Sequence, residues 1–416
     1  MLGRHTSVPR VLRRQRPRSA PLAGRWWTLA WARLALSASL SLFGLQLVLA
    51  APAVAAGGTF AYVATQSSNS LQVINAATNT VTATIPVGTA PTAVAVSPDD
   101  STAYVTNSNS NTVSVINTAT NTVTTTIPVD LGPAGVAFNP NGATAYVTNE
   151  ENSTVSVINT ATNTVATTFV VGNNPTAVAF SPNGATAYIT NGFNEVLVIN
   201  TATNSITSSI PVGTAPTAVA FSPNGATAYV TNSLSNTVSV INTATSTVTA
   251  TIPVGTAPEA VAVSPGGALA YVTNNGSNTV SVINTATSTI TATIPVGTAP
   301  EGVAFSPGGT LAYVTNNLSG NMSVINTATN AVTTTVTVHA LPTGVATAKV
   351  PNLVTGTATC PSGTAITGGG YQQSSGAAPV SVIASRPVGN TWQVLADNQG
   401  SGTASATITP YAVCGS

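Results

Sequence analysis

Residues 91–129 read PTAVAVSPDDSTAYVTNSNSNTVSVINTATNTVTTTIPV. A run of small and β-branched residues, Pro91–Val96, ends at the turn Ser97-Pro98-Asp99-Asp100. Thr102–Asn107 is a second run, residues 112–116 alternate apolar and polar, and residues 122–129 are rich in Thr, Val and Ile. β-Branched residues favour the pleated, half-buried setting of a strand, and turn residues bound each run. This stretch therefore predicts four short strands joined by tight turns.

The same pattern recurs along the chain. Its tyrosine reappears as Tyr62, Tyr104, Tyr146, Tyr188, Tyr229, Tyr271 and Tyr313, at spacings of 42, 42, 42, 41, 42 and 42 residues. A period of this length matches one four-stranded propeller blade and is too long for a leucine-rich coil. The first turn becomes Asn141-Gly142, Asn183-Gly184 and Asn224-Gly225 in later copies. Asn-Gly supplies the positive φ angles of a tight hairpin.

Two details order the strands within a blade. Proline falls in the fourth strand at Pro86, Pro128, Pro211, Pro253 and Pro295. A proline has no N–H for a ladder, so this strand belongs at the outer edge. The first strand is built of Ala, Val and Gly without polar alternation, as at Ala93-Val94-Ala95. That composition suits the innermost strand, where blades converge and both faces are covered.

The two ends of the array complete each other. The first copy starts on a second strand, at Thr59-Phe60, with no inner strand before it. The last copy runs on into Pro342-Thr343-Gly344-Val345-Ala346, an inner-strand sequence with no blade of its own. Donating residues 342–348 to the first blade closes a ring of seven. An open solenoid would instead need polar caps.

Tyr104-Val105-Thr106-Asn107 and its copies, each followed by a segment like Val113-Ser114-Val115-Ile116-Asn117-Thr118-Ala119-Thr120, resemble the YVTN-repeat β-propeller family. The resemblance covers residues 57–348. It implies an all-β, seven-bladed propeller similar to surface-layer and other exported or cell-surface proteins. It implies little about activity, because propellers serve many functions.

Residues 1–56 read as a signal peptide. Eight of the ten Lys and Arg residues lie within the first 33 positions, an uncharged apolar run covers 34–50, and Ala53-Val54-Ala55 offers small residues for cleavage near 55/56. Left uncleaved, the run through Ala56 would be long enough to span a bilayer. The mature chain would carry two bases, Lys349 and Arg386, against nine acids.

Residues 349–416 break the period and read as a small β-module. Cys360 and Cys414 are the two cysteines of the chain and are expected to form a disulfide. Such a staple would stabilise a small core by roughly 4 kcal/mol in the chain-entropy picture. Trp392 is the expected core plug of this module. The Cys-bracketed pattern looks like small β-modules appended to exported actinobacterial proteins.

Residues for catalysis are scarce. The ring has no Lys or Arg, and His339 is its histidine, expected in an exposed loop. A Ser-His-Asp or Cys-His arrangement has no material here. Haem would need axial His, Met or Cys ligands, and Met322 and His339 fall on outer parts of the last blade. Nucleic acid and anionic lipid are disfavoured because neutralising phosphate needs basic groups. Glu259 and Glu301 stand out, each following the proline that opens an inner strand, on adjacent blades at the mouth of the channel. They read either as a Ca²⁺-type oxygen site or as two solvated rim acids.

Strand residues repeat almost verbatim, whereas the loops between second and third strands vary. Phe193, Leu234 and Leu318 are apolar loop tips and candidate ligand contacts. A rigid ring with diverse loops on one face is the arrangement of a binding platform. The sequence thus predicts a non-enzymatic exported or cell-surface scaffold for an extracellular protein or glycan, with adhesion or envelope structure as its role. The alternative is a divalent-cation-dependent, lactonase-like or other hydrolytic propeller enzyme at the channel mouth.

Overall fold

The structure is a computed structural model. It describes residues 58–350, together with the backbone of strands Leu353–Thr359, Ala365–Gln373, Val380–Val388, Thr391–Asn398 and Ile408–Gly415. The expected signal peptide and its cleavage site lie outside the described residues.

The chain folds into seven four-stranded antiparallel sheets arranged as propeller blades. Blade 2 shows the pattern: inner strand Pro91–Val96, then Thr102–Asn107, Thr112–Asn117 and the outer strand Thr122–Pro128. Blade 4 departs at its inner strand, which shortens to Val178–Phe180. Third and outer strands pair through a register shift in every blade, as between Val115 and Ile116, and such bulges sharpen strand twist.

Ring closure follows the expectation and extends it. Strand Pro342–Val350 pairs with Gly58–Thr65 as the inner strand of blade 1, with Val63 opposite Val345 and Gly58 opposite Val350. The splice therefore runs two residues beyond 348. The closing strand also abuts the inner strands of blade 7 (Pro300–Phe305) and blade 2. Glycine makes this approach feasible: a Cβ on Gly302 would lie 2.6 Å from the Thr343 carbonyl oxygen, and one on Gly344 2.9 Å from Ala93 Cα.

The apolar core is divided among the seven junctions between blades. Tyr104, Val113 and Val115 of blade 2 pack with Val136, Ala145 and Val147 of blade 3. The closing junction packs Tyr313, Met322 and Val324 of blade 7 against Ala61, Val63 and Val345 of blade 1. Met322, expected on an outer part of its blade, is completely buried there. All seven repeat tyrosines are no more than 1 % exposed, so the motif's aromatic ring is a structural element in every blade.

Beyond the ring, Leu353–Thr359, Thr391–Asn398 and Val380–Val388 form a three-stranded sheet, and Ala365–Gln373 pairs with Ile408–Gly415. Cys414 stands opposite Ile366 in that pair. Cys360, the other half of the expected disulfide, lies outside the described residues.

Candidate functional site

The repeat threonine fixes the geometry of the channel mouth. Thr231 Oγ1 accepts the Ala218 N–H of its own inner strand and donates to the Glu259 carbonyl of the next blade, at 2.9 and 3.1 Å. Thr273 does the same between the Ala260 N–H and the Glu301 carbonyl, at 2.9 and 2.6 Å. Each hydroxyl occupies the gap where its own inner strand skips register, between Pro216 and Ala218 in blade 5 and between Pro258 and Val261 in blade 6. The backbones of both glutamates are thus held by the blade before them.

The glutamate side chains come together. Each occupies the second position of an inner strand, at the end of the ring that carries the loops between second and third strands. Glu259 accepts a hydrogen bond from Ser233, on a blade 5 loop, and Glu301 accepts one from Asn317, on a blade 7 loop. Burial pushes the Glu301 carboxyl up to about 7, and the like charge of Glu259 pushes the same way, against the Asn317 bond. Burial also raises Glu259, with Ser233 opposing it. Both carboxylates are partly buried, so they are not the freely solvated rim acids of one sequence reading. Among the described residues, no group of three or more His, Cys, Asp or Glu converges to hold a metal ion. A divalent cation would rely on these two carboxylates, with the Ser233 and Asn317 side-chain oxygens beside them.

The apolar tips share this face. Phe193, Leu234 and Leu318 are 65 %, 74 % and 69 % exposed. Leu131 and Val170, which sequence reading did not single out, are also exposed at the same end of the ring. Their signal was the departure from the repeat: Leu131 stands in the connection Asp130-Leu131-Gly132, where four other blades have Gly-Thr-Ala. Glu150, Glu151, Glu195 and Asp130 belong to this end too, so the described loop face carries acids and apolar tips but no Lys or Arg. His339 lies here, exposed, with Nδ1 3.1 Å from Ser68 Oγ and its backbone N–H donated to Gln72 Oε1. Among the described residues, no helix is long and apolar enough to cross a membrane.

Residues 200–348 match the family described as "Lactonase, 7-bladed beta-propeller". The matched stretch holds blades 5 to 7, the start of the closing strand, and both Glu259 and Glu301. No curated protein matches the chain. Among solved structures, hydrazine synthase of Kuenenia stuttgartiensis is 25 % identical, with a TM-score of 0.60 over 64 % of this chain and 92 % of that one. A functionally unknown protein of Desulfotomaculum acetoxidans DSM 771 is 20 % identical, with a TM-score of 0.64 over 70 % of this chain and 99 % of that one. A "putative 6-phosphogluconolactonase" of Bacteroides uniformis ATCC 8492 is 20 % identical, with a TM-score of 0.60 over the same shares. These last two likenesses speak for the fold alone. The chain is a seven-bladed β-propeller, similar over residues 200–348 to the lactonase propeller family.

Proposed function

We propose that this chain is a non-enzymatic, exported propeller scaffold whose loop face binds a protein partner at the cell surface. The observation that carries this reading is the exposure of Phe193, Leu234 and Leu318 together on one face of a rigid ring. Apolar side chains held in water at loop tips are stabilised by a partner that covers them. The acids around them, on a face without Lys or Arg, favour a partner with basic residues, since complementary charge steers encounter and selects against wrong partners. The channel mouth then serves as the rim of the platform. The test is binding of the purified chain to arrays of extracellular proteins and of glycans, repeated with the triple variant F193S/L234S/L318S. Salt-sensitive protein binding that the triple variant loses supports the reading. Glycan-only binding, or binding that survives the substitutions, overturns it.

One observation favours a second reading, a cation-dependent hydrolase of lactonase type at the channel mouth. The lactonase-family match spans both glutamates, and Glu301 holds a carboxyl poised near neutrality. Such a group suits proton transfer at physiological pH. Ca²⁺ takes about six to eight oxygen ligands, so backbone carbonyls or water would have to complete a site built on two carboxylates. Calorimetric titration with Ca²⁺ tests it directly. Heat accompanied by proton release, absent in E301A, together with lactone hydrolysis, would replace the scaffold reading.

A further inference from the structure

The opposite face of the ring carries a cleft that the loop platform does not use. Between blades 4 and 5, the turn after the blade 4 inner strand faces the turn after the blade 5 third strand, enclosing about 600 Å³. Its floor is the partly exposed Phe221, whose ring packs on the buried Tyr188 at 4.6 Å between centroids, tilted by 50°. Its rim is amide and hydroxyl, from Asn183, Asn224, Thr243 and Ser246, and no charged side chain lines it. Asn183 and Asn224 use their amide oxygens within their own turns, accepting from the Ala185 and Ala226 N–H groups. Both are exposed, and their NH₂ groups are left as donors at the rim.

We propose that this cleft between blades 4 and 5 binds a neutral saccharide, and that the equivalent cleft between blades 2 and 3 is a second, related site. A sugar ring presents a C–H face and an edge of hydroxyls. It therefore needs an apolar ring face flanked by neutral donors and acceptors, and here the partly exposed Phe221 lies beside the Asn and hydroxyl rim. The second cleft encloses about 440 Å³ over Tyr104 and Phe138, whose centroids are 4.5 Å apart. It is smaller because Asn163, which accepts from the Tyr104 hydroxyl, stands where the first has Ser246. Asp99 replaces Asn183. Burial would raise the Asp99 carboxyl, but hydrogen bonds from Ser97 and Ser101 bring it below its ordinary value, so it stands as an anionic acceptor for hydroxyls.

The junction between these two shows what shuts such a cleft. Asn139 takes the place of Ser97 and Ser181, and its amide reaches across to the Gly184 carbonyl of blade 4 at 3.1 Å. Phe180 beneath it is 8 % exposed. One side chain thus bridges the two walls.

The inference is independent of the loop platform, and the test keeps them apart. Saturation-transfer NMR with glucose, galactose, mannose, N-acetylglucosamine, maltose and cellobiose should show contact with the purified chain, with weaker transfer to glucuronate and glucosamine. Calorimetry with the best binder should count two sites. S181N copies the closed junction and should lower the count by one, N139S should raise it by one, and F221L should weaken the blade 4–5 site at least tenfold. F193S/L234S/L318S should leave all of this unchanged. Absence of transfer to every neutral sugar, preference for the charged ones, or counts unmoved by both S181N and N139S would overturn the proposal. The Asn and Ser exchanges use residues already present at equivalent positions, so loss of folding does not obscure the result.

Discussion

The hydroxyl of Thr315, on the second strand of blade 7, donates to the carbonyl of Thr343, on the strand that completes blade 1, at 2.5 Å. The same oxygen accepts the Gly302 N–H at 2.8 Å. This one side chain therefore ties the last blade to the closing strand. Its removal leaves a buried donor and a buried acceptor unmatched.

T315V should accordingly cost about 2 kcal/mol in chemical unfolding, the range expected for stranding buried polar groups. T315S, which keeps the oxygen, should recover most of it. Equal losses in the two variants would show that the methyl packing, and not the staple, matters.

Gly344 lies where added bulk meets the blade 2 backbone. G344V should hold the closing strand off Pro91–Val96 and lower the cooperativity of unfolding, seen as a smaller slope against urea. Truncation before Pro342 should do the same more severely. Truncation after Val350 should leave the ring's transition intact.

The repeat tyrosines are not equivalent. Tyr104 and Tyr271 donate to Asn163 and Asn330 of the following blade, each at 2.5 Å. The Tyr313 hydroxyl is buried with no partner, and so is the Asn79 amide oxygen at the corresponding turn of blade 1. Y104F should therefore lose about 1 kcal/mol in urea unfolding, whereas Y313F should be neutral or slightly stabilising. A large loss in Y313F would mean that its hydroxyl is matched in solution.

Glu301 should make stability depend on pH. Its folded carboxyl, raised by burial and by Glu259 to about 7, holds a proton that the unfolded chain releases near 4.5. The contribution is complete below 4.5 and disappears as pH climbs through 7. E301Q should match the parent at pH 4 and exceed it at pH 8, by about 3 kcal/mol, the size such a shift implies through linkage. Thermal unfolding of both proteins across this range checks it. A parallel pH profile would show that the pair ionises freely.

Fold and ring closure could be read from the sequence because each blade repeats the same strand grammar. Tyrosine spacing gave the blade count, proline marked the edge, and the unmatched inner-strand sequence at residues 342–348 marked the splice. The placement of Glu259 and Glu301 followed from phase alone. The raising of both carboxyls by burial, and of Glu301 further by Glu259, did not, because burial between loops is a three-dimensional property. The bond of Thr315 to Thr343 was also hidden: a threonine inside a strand motif reads as β propensity until the neighbouring blade is in place. The clefts over Phe138 and Phe221 were missed because their phenylalanines read as ordinary strand ends. The contrast with Asn139, reaching across to Gly184, marks the blade 3–4 junction as bridged.

The closing strand has a consequence for the order of events in making this protein. Residues 58–65, the first described strand, find their inner partner only in residues 342–350. Synthesis delivers almost the whole ring before that partner emerges. Until then blade 1 presents a bare strand edge beside an incomplete apolar junction, a state prone to wrong pairing. Such distant contacts also slow folding. A chain of this design cannot reach its final topology until nearly the last of the propeller has been released.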